Sequence, residues 1–132
     1  MSNYKLSFRK SPSEIEINLN SSKSESNRLL IIESLSDNQI ELENLSQAND
    51  TVLLKNLIKS NSQNIWDAED AGTTMRFLTS FLAFRKQGAL LTGTERMKKR
   101  PIKILVDALN KIGAEISYME KDGYPPIKIK RK

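Results

Sequence analysis

Between Met75 and Phe84, six of ten side chains are large and apolar: Met75, Phe77, Leu78, Phe81, Leu82 and Phe84. At about 3.6 residues per turn these are too many for one narrow face, so the stretch predicts a helix buried nearly all round. Any fold that accepts it must supply cover on several sides. The start of the same stretch has a different character, because "DAGTTMR", Asp70 to Arg76, places a glycine, two threonines and an arginine where the helix begins. A helix made only for packing does not need that start. Free backbone N–H groups at a helix N-terminus favour an anion, and glycine lets a ligand approach the backbone closely.

The rest of the chain alternates between short strands and helices. In "EIEINL", Ile15, Ile17 and Leu19 share one face, which is the two-residue period of a half-buried strand. "SNRLLIIESLS" gives a first helix with Leu29, Leu30, Ile31, Ile32 and Leu35 as a broad apolar stripe and Ser24 or Ser26 as its cap. "IELEN" returns to alternation through Ile40 and Leu42 and predicts a second strand. Val52, Leu53, Leu57 and Ile58 have helical spacing, and a short strand follows around Ile65 and Trp66. Beyond the apolar helix, "GALLTG" reads as a brief buried strand. Ile102, Leu105, Val106, Leu109 and Ile112 then mark an amphipathic helix started by Pro101 and stopped by Gly113. "AEISYME" and "PPIKIK", separated by "KDGYPP", suggest an antiparallel pair or a meander. With 132 residues, enough for one core, this order indicates an α/β or α+β domain.

Several chemistries are excluded at once. The chain has no cysteine and no histidine, so there is no disulfide, thiolate or imidazole, and zinc has no ordinary ligand set. The N-terminus "MSNYKLSFRK" lacks the apolar core of a signal peptide, and no apolar run approaches the roughly 20 residues of a membrane span. A cytoplasmic location is the default expectation. The net charge of +5 is unevenly spread, with five positive side chains and no negative one in "RMKKRPIK", Arg96 to Lys103. An anion is the expected partner, either a nucleic acid or a small phosphorylated metabolite.

Three places could hold it, each where a loop meets a helix. In "SSKSESNR", Lys23, Ser24 and Arg28 gather two cations and a hydroxyl; the plain alternative is a serine-rich, helix-capping loop. In "DAGTTMR", Gly72, Thr73, Thr74 and Arg76 surround a helix start; the alternative is a core helix preceded by a glycine turn. In "LTGTERMKKRP", Arg96 follows the Gly93 turn and can grip a carboxylate or phosphate through two parallel hydrogen bonds. A solvated charge run is the alternative there.

Taken in order, "SKSESNRLLI", "DAGTTMR", "LTGTERMKKRPIKILVDALNKIGAEI" and "GYPP" resemble the N-terminal part of the 5-enolpyruvylshikimate-3-phosphate synthase family, the 3-phosphoshikimate 1-carboxyvinyltransferases of the shikimate pathway. The resemblance runs from about Ile15 to Ile129. It implies transfer of the enolpyruvyl group of phosphoenolpyruvate to the 5-hydroxyl of shikimate 3-phosphate, with release of phosphate, in aromatic amino acid biosynthesis. It places Lys23 near phosphoenolpyruvate, Ser24 and Arg28 on shikimate 3-phosphate, and Arg96 on phosphoenolpyruvate. Gly72 would line the phosphoenolpyruvate pocket, where the inhibitor glyphosate also binds. Asp50 near the cleft and Arg76 as a structural neighbour are further candidates. The implied fold is the repeated strand–helix unit of the enolpyruvyl transferases, α/β (α+β), with residues 1–132 as a single incomplete N-terminal domain of a larger two-domain enzyme. Residues 1–10, including "YKLSF", would then form a strand of the other domain.

The same resemblance implies no cofactor, no metal, no nucleic acid, no membrane and a monomer at full length. Catalytic acid–base residues would lie in the missing C-terminal part, so the chain alone is expected to be inactive. Departures from the family pattern are Ser21 and Ser22 where Pro-Gly is usual, Asp70 where asparagine is common, Phe77 in place of a proline, and a short segment between Asp50 and Asp70. Asp70 is a good helix cap whose charge opposes an anion. Two alternatives stand beside this one: a basic α/β nucleic-acid-binding module, although "RMKKRPIK" has no aromatic residue on which a base could stack, and an enolpyruvyl transferase acting on a nucleotide sugar.

Overall fold

A computed structural model of the chain describes residues 3–5, 7, 16, 17, 19–36, 39–60 and 64–131. Helices α1 (Lys23–Leu35) and α2 (Asn49–Lys59) come first. Strand β1 (Ile65–Asp67), helix α3 (Gly72–Phe84) and strand β2 (Ala89–Thr92) follow as a crossover unit, in which β1 and β2 pair in parallel with Trp66 opposite Leu91. A 3₁₀ turn (Met97–Lys99) leads to α4 (Lys103–Lys111), β3 (Ile116–Tyr118) and β4 (Ile127–Ile129). The four strands form one sheet in the order β1-β2-β4-β3, and β4 runs antiparallel to both neighbours.

The two-residue period of each strand decides which way the sheet faces. Trp66, Ala89, Leu91, Ile116, Ile127 and Ile129 are buried, while the intervening Ile65, Ser117 and Lys128 are exposed. Helices therefore back one face. The long apolar helix lies at the centre, touching α1, α2, α4, β2 and β4, with Met75, Leu78, Phe81 and Leu82 in the core. The expectation that it is buried all round is corrected at its C-terminal end, where Phe84 is 73% exposed.

α4 begins at Lys103, two residues after Pro101, and ends where Gly113 turns into the left-handed region at φ 99°. Ile102 and Val106 are buried, but Ile112, counted on the same face, sits in the cap and is exposed. β3 and β4 are the antiparallel pair anticipated from the two alternating C-terminal segments.

Other expectations are corrected or fall elsewhere. The predicted strand over Ile40 and Leu42 is irregular chain, and at its C-terminal end the chain is tied to serine side chains and not to a strand. Ser21 Oγ donates to the Asn44 carbonyl, the Ser46 N–H donates to Ser26 Oγ across 3.0 Å, and Asn44 itself is left-handed at φ 51°. Helix α1 starts earlier than expected, with Ser22 as its cap in place of Ser24 or Ser26. Its apolar stripe is also displaced: Ser26, Asn27, Leu30 and Ser34 are buried, whereas Leu29, Ile32 and Leu35 are exposed. Ile15 of the first predicted strand, and Leu6 and Phe8 of "YKLSF", lie outside the described residues; Ile17, Leu19, Tyr4, Lys5 and Ser7 are exposed and in no strand.

Candidate functional site

The N-terminal ends of three helices meet. Lys23, the first residue of α1, donates from Nζ to Asp50 Oδ2 at 3.2 Å, and Asp50 lies in the first turn of α2. Thr74, fully buried in the first turn of α3, donates from Oγ1 to the Asp50 carbonyl at 3.2 Å. Asp50 thus ties α1 to α2 through its carboxylate and α2 to α3 through its backbone.

Beside this junction lies a cavity of about 350 Å³ lined by Ser24 and Arg28 from α1, Gly72, Thr73, Arg76 and Phe77 from α3, and Arg100 from the loop before α4. Each guanidinium is held by backbone carbonyls. Arg28 Nη1 donates to the Ser24 carbonyl at 2.9 Å. Arg76 Nη1 donates to Gly72 O and Nη2 to Pro101 O, both at 3.1 Å. Arg100 Nη1 donates to Asp70 O at 3.4 Å. Among the described residues none of these three arginines makes an ion pair, in contrast to Lys23, Lys98, Lys103 and Lys130. An arginine carries five N–H donors, so each retains donors for an anion.

The first turn of α3 is open to the same use. Its N-cap is Ala71, which offers no side-chain oxygen, and this corrects the expectation that Asp70 caps the helix. Asp70 Oδ1 instead accepts from the Thr94 hydroxyl in the loop after β2. Asp70 therefore does not occupy the amides of the first turn, which are left without a side-chain cap.

Of the residues singled out from sequence, Ser24, Arg28, Gly72 and Arg76 line one cavity. Lys23 and Asp50 form their ion pair next to it, and Arg96 is exposed and outside its lining. Arg100, the residue that does reach the cavity from that basic run, was hidden among five cations. The 3₁₀ turn selects it: buried Met97 anchors the turn, the Met97 N–H donates to Thr94 Oγ1, and the Arg100 N–H donates to the Met97 carbonyl.

The architecture is a mixed α/β domain whose sheet is backed by helices and in which arginines from three separate segments line one small cavity. The chain belongs to the EPSP synthase (3-phosphoshikimate 1-carboxyvinyltransferase) family, whose model matches residues 53–132. That match includes Gly72, Arg76, Arg96 and Arg100 and begins after Lys23, Ser24, Arg28 and Asp50. The chain is similar to the 3-phosphoshikimate 1-carboxyvinyltransferase of Bacteroides fragilis, with 48% identity over 121 residues, covering 89% of this chain and 29% of the relative. The enzyme of the same name from Sulfurovum is 38% identical over 141 residues, covering 88% and 33%. The EPSP synthase structure from Acinetobacter baumannii has the same fold, with a TM-score of 0.72, 18% identity, and 86% of this chain against 31% of that one. The chain therefore spans about a third or less of the length of these relatives. The comparisons lend no support to the nucleic-acid-binding alternative or the nucleotide-sugar alternative. Among the described residues, no group of acidic side chains could hold a metal ion, and no helix is long and apolar enough to cross a membrane.

Proposed function

We propose that this chain is the N-terminal substrate-binding portion of a 3-phosphoshikimate 1-carboxyvinyltransferase. The chain spans about a third or less of the length of its relatives, and the remaining ligands and acid–base groups are assigned to the rest of such an enzyme. One observation carries this reading: Ser24, Arg28, Gly72 and Arg76, drawn from two separate family-like motifs, line a single cavity whose guanidinium groups make no ion pair among the described residues. Shikimate 3-phosphate and phosphoenolpyruvate each bring a phosphate and a carboxylate. Clustered arginines and a helix start offset the repulsion between such groups and hold them in reacting order.

Within this cavity Ser24 and Arg28 are assigned to shikimate 3-phosphate and Gly72 to phosphoenolpyruvate, which is also where glyphosate would compete. Lys23 and Arg96, which lie outside the cavity lining, are assigned to phosphoenolpyruvate, and Asp50 and Arg76 position their neighbours. The reaction calls for no cofactor or metal, and the full-length enzyme acts as a cytoplasmic monomer. Titration of the chain with each substrate, followed by amide NMR, tests the assignment. Shifts at Ser24, Arg28, Gly72, Thr73 and Arg76 are expected, and equal shifts with a nucleotide sugar would sink it. A phosphate-release assay with both substrates should read zero for residues 1–132 alone, and turnover would overturn the assignment of the acid–base groups to the rest of the enzyme.

A further inference from the structure

Gly72 is not required by its own backbone. Gly113 and Gly123 have positive φ, and Gly72 does not, so an L-residue could adopt its conformation. The obstacle is a side chain. A Cβ built on Gly72 would lie 2.5 Å from Arg100 Nη1, 2.6 Å from Cζ and 2.6 Å from Nη2. Near-equal distances to the carbon and both terminal nitrogens mean that the guanidinium meets Gly72 with its face. Arg100 is also the most loosely held of the three arginines in the cavity, with a single 3.4 Å bond to Asp70 O, and it is exposed.

We infer that Gly72 and Arg100 are one functional unit: the glycine leaves room for the Arg100 guanidinium over the first turn of α3, where Arg100 binds the phosphate or carboxylate of the ligand. The inference rests on the anion-site reading above and adds a residue and a coupling to it. Arg76 supports the pair from behind, because it bonds to both Gly72 O and Pro101 O and so fixes the backbone of the helix start relative to the loop that carries Arg100.

A double-mutant cycle with inorganic phosphate as the probe, followed by amide shifts, tests this. Gly72→Ala displaces only the far end of a flexible side chain, and Arg100→Ala is a surface change, so unfolding curves should show both variants folded. Each single substitution is expected to weaken phosphate binding by about tenfold, the loss of one charge-assisted contact. The double variant should bind no worse than Arg100→Ala, since the alanine at 72 has nothing left to displace. Arg100→Lys should recover only part of the affinity.

Unchanged binding by Arg100→Ala, additive effects in the double variant, or no phosphate binding by the natural chain would each overturn the inference. The two levels separate cleanly. Should phosphate show this coupling while phosphoenolpyruvate and shikimate 3-phosphate bind no more tightly than phosphate, the substrate assignment fails and the Gly72–Arg100 unit stands. Tight binding of those substrates that survives Arg100→Ala means the reverse: the assignment stands and the unit fails.

Discussion

The Lys23 ammonium and the Asp50 carboxylate pair at 3.2 Å, and the carbonyl of the same Asp50 accepts from Thr74 at 3.2 Å. The two bonds differ in exposure, with the Lys23 and Asp50 side chains 47% and 27% exposed and Thr74 fully buried. An ion pair open to water contributes about 0–1 kcal/mol, whereas a buried donor removed from its acceptor costs about 1–3 kcal/mol. Thr74→Val should therefore destabilise the chain more than Asp50→Ala, as measured by urea unfolding. The opposite order would show that the ion pair, and not the backbone bond, fixes the helix junction.

The glycine at 93 has a different constraint from that at 72. A Cβ there would lie 2.6 Å from the Glu69 carbonyl oxygen and 2.7 and 2.8 Å from Met97 Cγ and Cβ. Neither backbone nor a fully buried methionine yields cheaply, so Gly93→Ala should cost about 1–3 kcal/mol, the usual range for overpacking. The denaturation midpoints of Gly93→Ala and Gly72→Ala, measured side by side, check this; equal midpoints would refute the distinction.

Arg28 and Arg76 line the same cavity but should separate in stability measurements. Arg28 bonds within its own helix, while Arg76 also reaches Pro101 in another segment. Arg28→Ala is expected to leave stability within about 0.5 kcal/mol of the natural chain, and Arg76→Ala to lower it by about 1 kcal/mol or more. Both should weaken shikimate 3-phosphate binding in calorimetric titrations, more so at low ionic strength. A stability loss confined to Arg28→Ala would contradict the bonding described.

Stability should fall as the pH becomes alkaline. Hydrogen bonds to Glu95 and Glu120 hold Lys98 above the ordinary lysine value of 10.5, and Asp122, then the charge of Asp107, raise Lys103. Burial is the main cause that raises Tyr118 above 10.0. In all three the folded state retains its proton more tightly than the unfolded chain. Their contribution is thus complete below about pH 10 and lost as pH rises through the raised values. Urea midpoints should fall above that pH, and Glu120→Gln with Asp122→Asn should reduce the fall. A midpoint that rose there would reverse the sign.

The elements most legible in the sequence were those whose periodicity and boundaries agreed. α4 has apolar spacing, a proline before it and a left-handed glycine after it, and α3 announces itself by sheer apolar density. α1 misled because its buried face is made of Ser26, Asn27 and Ser34 with Leu30, small and polar groups that let helices approach closely, while Leu29, Ile32 and Leu35 face outward. The segment at Ile40 has strand periodicity, but the chain just after it, at Asn44 and Ser46, is tied to Ser21 and Ser26, a tertiary arrangement that no local pattern encodes.

The site divides in the same way. Ser24, Arg28, Gly72 and Arg76 sit in motifs at helix starts, where position along the helix already fixes direction. Arg100 was concealed because a run of cations gives no sign of which one turns inward; that is settled by Met97, buried three residues earlier. The bond from Thr94 to Asp70 was equally invisible, since it joins loops 24 residues apart.

β4, the last of the described elements in sequence, lies between β2 and β3 in the sheet. During synthesis β2 can pair with β1, but the ribosome must release Ile127 to Ile129 before the other edge of β2, or β3 at all, has a partner. Until then the growing chain exposes an edge of unpaired backbone N–H and C=O groups on each of these strands, and a nascent chain stalled before residue 127 would be a natural client for chaperones and proteases.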